Sequence, residues 1–190
     1  MSYFFAYLSR MKYIFRWGLM HNTVQENIQE HSHHVAVIAH ALCVIKNKYF
    51  GGHVDVGYVV QLAVFHESAE VITGDLATPI KYFNPQIRDA YKDIENIAGE
   101  KLLNMLPEEL RGEYEPLIFP KKDEAYRIMK AADKICAYIK CLEEIKASNH
   151  EFDRAKIAIE RDIAAMDAPE VQYFMEHFAQ GFSLTLDELN

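Results

Sequence analysis

Three features of this 190-residue chain predict an all-α, compact single-domain helical bundle. Apolar residues recur at three- and four-residue intervals through nearly every long segment. No stretch of two-residue alternation is long enough for a useful strand. Glycine, proline and side-chain caps fall where the helical periods stop and start. The length suits one domain spanning residues 1–190. A chain of this size should bury roughly 70% of the surface that its unfolded form exposes. Half of its residues are hydrophobic, so it has the apolar material for such a core.

Taken in order, Phe4, Leu8, Met11 and Phe15 have helical spacing and predict a first helix over 2–14 that faces the core. Gly18, Asn22 and Thr23 mark 15–27 as a loop. A second helix should run from Ile28 to Tyr49, buried along Val35, Ile38, Leu42 and Ile45 and stopped by Gly51-Gly52. Asp55 is a good N-cap for a third, which should continue through His66-Glu67 to Glu70. The stretch from Thr73 to Pro79 is rich in turn residues. Pro85 can open a helix with Ile87, Tyr91, Ile94, Ile97 and Ala98 as apolar contacts, continuing through Leu106 to Pro107. Residues 108–120 read as looser. A strongly patterned helix follows over 123–148, carrying Ile128, Ala132, Ile135, Ile139 and Leu142, and helices over 151–166 and 169–179 close the chain.

The formal net charge of −8 argues against a nucleic-acid polymer as partner, which would need a basic face. A small anion needs only a few local cations and stays compatible with it. No run of 18 apolar residues suggests a membrane span, and the start lacks the pattern of a secretory signal. Cys43, Cys136 and Cys141 form an odd set without zinc spacing, which fits the reducing cytoplasm. Glu143-Glu144 and the acidic tail Asp187-Glu188 read as solvated surface, and Lys81 as a solvated cation.

Several residues have the chemistry of a metal site. His66 and Glu70 are four apart and would share a helix face, while Glu67 points about a quarter turn away. His31 falls in the first turn of its helix. Asp133 lies on the border of an apolar stripe, beside Met129 and Cys136, where an unpaired charge costs several kcal/mol. A lone inward His or Asp is more often a hydrogen-bonded core residue than a ligand. His21, His33, His34, His40, His53, His150 and His177 compete for the same role, and spacing does not choose among them.

The order His31, His66-Glu67, Asp133 on a helical chain resembles the HD-domain metal-dependent phosphohydrolases. The stretches FFAYLSRMKYIFRWGLM, TVQENIQEHSHHVAVIAHAL, AVFHESAEVITGDLATPIKYFN and KAADKICAYIKCLEE narrow the resemblance to bacterial 5′-deoxynucleotidases of the YfbR type. That resemblance implies a homodimer that hydrolyses deoxyribonucleoside 5′-monophosphates with one divalent metal ion. It also implies His31, His66, Glu67 and Asp133 as metal ligands, and Glu70, Asp75 and Arg16 as catalytic groups. Substrate contacts are implied for Arg16, Trp17, His31, Glu67, Asp75, Leu76, Ala77, Thr78 and Asp133. A set of two imidazoles and two carboxylates suits Mn, Fe, Co, Ni, Cu or Zn. Other HD proteins act on cyclic nucleotides, (p)ppGpp or triphosphates, but the few basic residues near these motifs favour a monophosphate.

Two positions depart from the family pattern. Ala77 stands where a Pro is expected, and Glu67 where the family has Asp. Glu has the same ligating oxygens on an arm longer by one methylene. Either Glu67 still ligates and the chain is an active enzyme, or the metal site is impaired and the chain binds nucleotides without turning them over. An ångström of misplacement at a reacting centre can cost ~100-fold in rate, so the substitution bears on activity.

Overall fold

The computed structural model describes residues 1–189. Among these residues it contains helices and no strand, apart from an isolated antiparallel bridge between Phe15 and Asn27. The α-helices are α1 (Phe4–Leu8), α2 (Ile28–Tyr49), α3 (Val56–Phe65), α4 (Glu70–Thr73), α5 (Thr78–Lys81), α6 (Pro85–Leu103), α7 (Glu108–Ile118), α8 (Glu124–Lys146), α9 (Asp153–Ala164) and α10 (Pro169–His177). None is long and apolar enough to cross a membrane.

Local chemistry sets most of the boundaries. The Asn27 side chain accepts from the backbone N–H groups of Gln29 and Glu30 at 3.1 and 3.0 Å, and Glu30 reaches back to the Asn27 N–H, so α2 opens on a reciprocal cap. It ends where Gly51 takes φ +65°, letting the Phe50 and Gly52 N–H groups both return to the Lys46 carbonyl. Asp55 caps the start of α3 through Tyr58 N–H at 3.1 Å. Asn84 caps α6 through Ile87 N–H at 2.8 Å, with Pro85 following it, and Asp123 caps α8 through Tyr126 N–H at 3.1 Å.

Two compact units are distinguishable. The first comprises Met1–His21, Gln25–His33 and Val64–Lys121. Its core gathers around Phe4, which is fully buried with Leu102, Leu103 and Leu106. Tyr114 meets the Phe4 ring edge-on at 5.2 Å. A Cβ on Gly99 would come within 2.7 Å of the Phe119 ring, so glycine lets α6 approach the end of α7.

The helix expected over 2–14 is interrupted here: α1 ends at Leu8 and a 3₁₀ segment, Ser9–Tyr13, follows. Phe4 and Met11 are buried as expected, but Phe15 is exposed because it lies beyond the tightened turn. The segment expected to be looser, 108–120, contains α7. Pro116 in its last turn and Gly112 hide the helical period, while Glu108 and Glu109 in the first turn favour helix through the backbone dipole. On α6, Tyr91, Ala98, Gly99, Leu102 and Leu103 form the buried face, and Ile94 and Ile97 face solvent.

The second unit comprises Asn22–Val24, His34–Ala63 and the chain from Lys122 onward. Here α8 packs on α9. Ile128, Ala132, Ile135 and Ile139 are buried along α8, as their spacing requires, and Ile163 is buried on α9. Lys46 on α2 reaches Glu170 on α10 at 3.2 Å and Glu124 on α8 at 3.3 Å.

Glu144 corrects the reading of an acidic solvated face. Glu143 is exposed, but Glu144 is only 1% exposed. It ion-pairs with Lys140 and accepts from Thr23 N–H at 2.9 Å, Thr23 Oγ1 at 2.6 Å and Asn149 Nδ2 at 2.9 Å. Lys140 also donates to the Val24 carbonyl. The short segment 22–24 is thereby held to α8 by one buried carboxylate.

Glu144→Ala should cost about 3–5 kcal/mol of stability in urea unfolding, because Lys140 would stay buried without its partner. Burial raises the Glu144 pKa, but donors from Lys140, Thr23 and Asn149 outweigh it and hold the carboxyl far below the usual range. A folded-state pKa below the unfolded value, about 4.3, stabilises above that value and loses its contribution as pH falls through the folded pKa. Unfolding measured from neutral pH down to about pH 3 should therefore show Glu144→Gln losing less stability than the unaltered chain.

Candidate active site

His66 and Glu67 do not continue α3. The helix stops at Phe65, and residues 66–69 turn before α4 opens at Glu70. Through this turn Ser68 N–H bonds to Phe65 O, Glu70 N–H to Glu67 O, Val71 N–H to Ser68 O and Ile72 N–H to Ala69 O, at 3.0–3.3 Å. Such i→i+3 winding is tighter than the α-helix, so the 3.6-residue geometry expected for His66, Glu67 and Glu70 does not apply. His66 Nε2 lies 3.1 Å from Glu67 Oε1. The His31 ring is fully buried, with its centroid 5.3 Å from that of His66.

The rival histidines are resolved by burial. His33, His34 and His40 on α2 are exposed, as are His21, His53, His150 and His177, whereas His31 faces inward. Asp133 lies on α8 with its side chain 16% exposed and is paired with Lys130 one turn earlier. One ligand atom from each of His31, His66 and Glu67 lies within 4.8 Å of the others.

The segment bearing Arg16 and Trp17 is tied to the start of α2. Arg16 N–H donates to Glu26 O and Ile28 N–H to Ile14 O, both at 2.9 Å. Arg16 Nη1 donates to Glu26 Oε2 at 3.1 Å, and Glu26 Oε1 lies 3.9 Å from His31 Nδ1. Trp17 adopts φ +61°. A bulky residue in the left-handed region stores about 1–3 kcal/mol of strain, which surrounding structure must hold in place. Its backbone N–H donates to the Asp75 carboxylate.

Gly74, at φ +73°, turns the chain out of α4 and into Asp75, Leu76 and Ala77, which are half-buried; Thr78 is exposed and opens α5. Helix α6 steadies this loop. Tyr91 Oη donates to the Gly74 carbonyl at 3.1 Å. Lys81 is not merely solvated: it donates to Glu95 at 2.8 Å and lies 4.8 Å from the centre of the Tyr91 ring.

The electrostatics of this region call for a cation. Burial pushes the Glu70 carboxyl up to about 11, aided by the charge of Glu67, a hydrogen bond with it and the charge of Asp75; Arg16 opposes the shift. Burial likewise raises Asp75, with Arg16 lowering it and Glu67 raising it. Carboxyls crowded at low exposure hold protons or a metal ion, and a cation there would displace protons. Two imidazoles and a carboxylate with ligand atoms this close fit a divalent transition metal in chemistry.

Glu26 and Tyr91 escape the sequence reading. Glu26 carries no motif signal, being one acidic residue in a loop expected to be irregular. Tyr91 lies on the apolar face of its helix, as its spacing predicts, but the use of its hydroxyl depends on the Gly74 backbone.

Known proteins resemble this chain over nearly its whole length. A family described as 5′-deoxynucleotidase YfbR-like matches residues 3–182. The 5′-deoxynucleotidase of Vibrio vulnificus is 51% identical over 191 residues, covering 100% of this chain and 98% of its own. Those of Photorhabdus temperata and Shigella dysenteriae are each 52% identical, over 100% of this chain and 98% and 96% of theirs. Among solved structures, an HD-domain phosphohydrolase from Listeria innocua superposes with a TM-score of 0.84 at 20% identity, covering 94% of this chain and 87% of its own. The cyanophage S-2L HD phosphohydrolase, bound to dA and one catalytic Zn²⁺, gives 0.63 at 20% identity over 93% and 96%. The structural likenesses carry the fold, and the sequence matches carry the rest: this chain belongs to the YfbR-like 5′-deoxynucleotidase family.

Proposed function

We propose that this chain hydrolyses deoxyribonucleoside 5′-monophosphates to deoxynucleoside and phosphate at a site using one divalent metal ion. It is a phosphoric monoester hydrolase of the HD type. The observation that carries the reading is the full-length identity with 5′-deoxynucleotidases. The grouped donors His31, His66 and Glu67 support it as metal ligands, and Asp133 is the fourth ligand that membership of the family implies. Mn, Fe, Co, Ni, Cu and Zn all suit such a set. The chain would act as one HD domain over residues 1–190, in the cytoplasm, as a homodimer, without nucleic-acid polymer or membrane as partner.

When bound, the metal supplies Lewis acidity, offsetting phosphate charge and making water more acidic. The remaining work falls to side chains. Arg16 presents a planar fork of donors to phosphate oxygens, and its pairing with Glu26 limits the orientations of that fork. Burial favours the protonated form of Glu70, which suits this carboxyl to exchange a proton with water or the leaving 5′ oxygen. Asp75, set by the Trp17 N–H, is the second carboxyl for proton transfer. Trp17, held in a strained conformation, packs on the sugar and excludes a 2′ hydroxyl. His31, Glu67 and Asp133 border the phosphate, and Leu76, Ala77 and Thr78 line the nucleoside. Glu67 reaches its neighbours despite the longer arm, which favours ligation over an impaired site.

Phosphate release from dAMP, dGMP and dTMP should need added Co²⁺ or Mn²⁺ after chelator treatment, and no release under any metal would overturn the reading. AMP should react about 10–200-fold less well than dAMP, the range for a steric difference of this size. Arg16→Ala should lower kcat/KM by about 10²-fold or more while the melting temperature changes little; a large melting shift would reassign Arg16 to the fold. Protein purified without chelator should hold metal both as the unaltered chain and as Glu67→Asp, and lose it as Glu67→Ala. Equal metal content in Glu67→Ala would remove Glu67 from the ligand set.

A further inference from the structure

The Glu26 carboxylate stands between two groups with separate tasks. One oxygen, Oε2, accepts from Arg16 Nη1 at 3.1 Å; the other, Oε1, faces His31 Nδ1 at 3.9 Å. The three side chains are largely withdrawn from water: those of Arg16 and Glu26 are 14% and 13% exposed, and that of His31 is fully buried. The backbone reinforces the pairing, since Arg16 N–H donates to Glu26 O and the Phe15–Asn27 bridge fixes the register of the two segments. Asn27, next in sequence, caps the helix that bears His31. Glu26 is therefore held at a defined place rather than on a free loop.

We infer that Glu26 is a positioning residue that joins the phosphate-orienting Arg16 to the metal-binding His31. The inference rests on the roles proposed above for those two residues. At 3.9 Å the Glu26 carboxylate acts on His31 through its charge rather than a hydrogen bond, making the ring a stronger donor to a cation, and its loss should weaken metal affinity about 10-fold, the low end of the range for such outer carboxylates. The same charge restrains the guanidinium, whose flexible arm could otherwise leave the position that binds phosphate. Removing the charge of Glu26 should thus disturb both partners at once, without Glu26 touching substrate or metal.

The test uses the whole chain as Glu26→Gln, Glu26→Asp, Arg16→Ala and Arg16→Ala/Glu26→Gln. Mn²⁺ alone, titrated calorimetrically into chelator-treated protein, reports the His31 arm without any turnover. Glu26→Gln should bind Mn²⁺ about 10-fold or more weakly, and Glu26→Asp, which keeps the charge, should recover part of that loss. KM for dAMP reports the Arg16 arm: Glu26→Gln should raise it in the unaltered background and add little to Arg16→Ala. The inference is overturned if Glu26→Gln binds Mn²⁺ within twofold of the unaltered chain, or if its KM effect multiplies that of Arg16→Ala in full. Should Glu26→Gln fail to fold, Glu26→Ala and Arg16→Ala/Glu26→Ala, which also remove the charge, take its place under the same two limits. Failure of the deoxynucleotidase reading would show separately, as absent phosphate release by the unaltered chain.

Discussion

Winding the backbone from Phe65 to Ile72 by i→i+3 hydrogen bonds places His66, Glu67 and Glu70 in a geometry that an uninterrupted helix would not give. In a continuous α-helix, His66 and Glu70 would stack on one face while Glu67 turned aside. Here His66 and Glu67 touch, and Glu70 is buried with its carboxyl facing the same charges. That concentration of negative charge makes the rest of the region intelligible. Arg16 lies near enough to lower both Glu70 and Asp75, and a divalent cation would relieve what Arg16 alone does not.

Around this turn the first unit is built of short, well-anchored pieces rather than long rods. The 3₁₀ segment after α1 delivers Ile14 and Phe15 to the bridge with Asn27, and the bridge sets Arg16 beside Glu26. Trp17 is held at a positive φ by the same local structure, with its N–H committed to Asp75. On the other flank, Tyr91 and the Lys81–Glu95 pair secure the loop between α4 and α5. Arg16, Trp17, His66, Glu67 and Asp75 thus lie in irregular segments, and helices supply the rigidity behind them.

The second unit solves a different problem. Its polar interior is concentrated at Lys140 and Glu144, a buried pair that hydrogen bonds from Thr23 and Asn149 make tolerable. Removing one charge from such a cluster is far more costly than never having built it. In the first unit, by contrast, Glu67 finds its partner next door, with Oε1 3.1 Å from His66 Nε2.

The chain's own order of residues determines its helices because the signals involved are local: apolar spacing along α2 and α8, and caps at Asn27, Asp55, Asn84 and Asp123. The motif order around His31, His66-Glu67 and Asp133 likewise points to the reaction class before any folding is considered. Local signals fail where context decides. Pro116 masked α7, and nothing in the helical period announced the break after Phe65. Choosing His31 over its exposed neighbours required knowing which face of α2 is buried. Glu144 reads as surface until Thr23, 121 residues earlier, donates to it. Glu26 gains its place only when a backbone bridge brings Arg16 alongside. Periodicity reports on neighbours within a few residues, whereas burial and pairing of charge depend on donors that only the folded chain brings together.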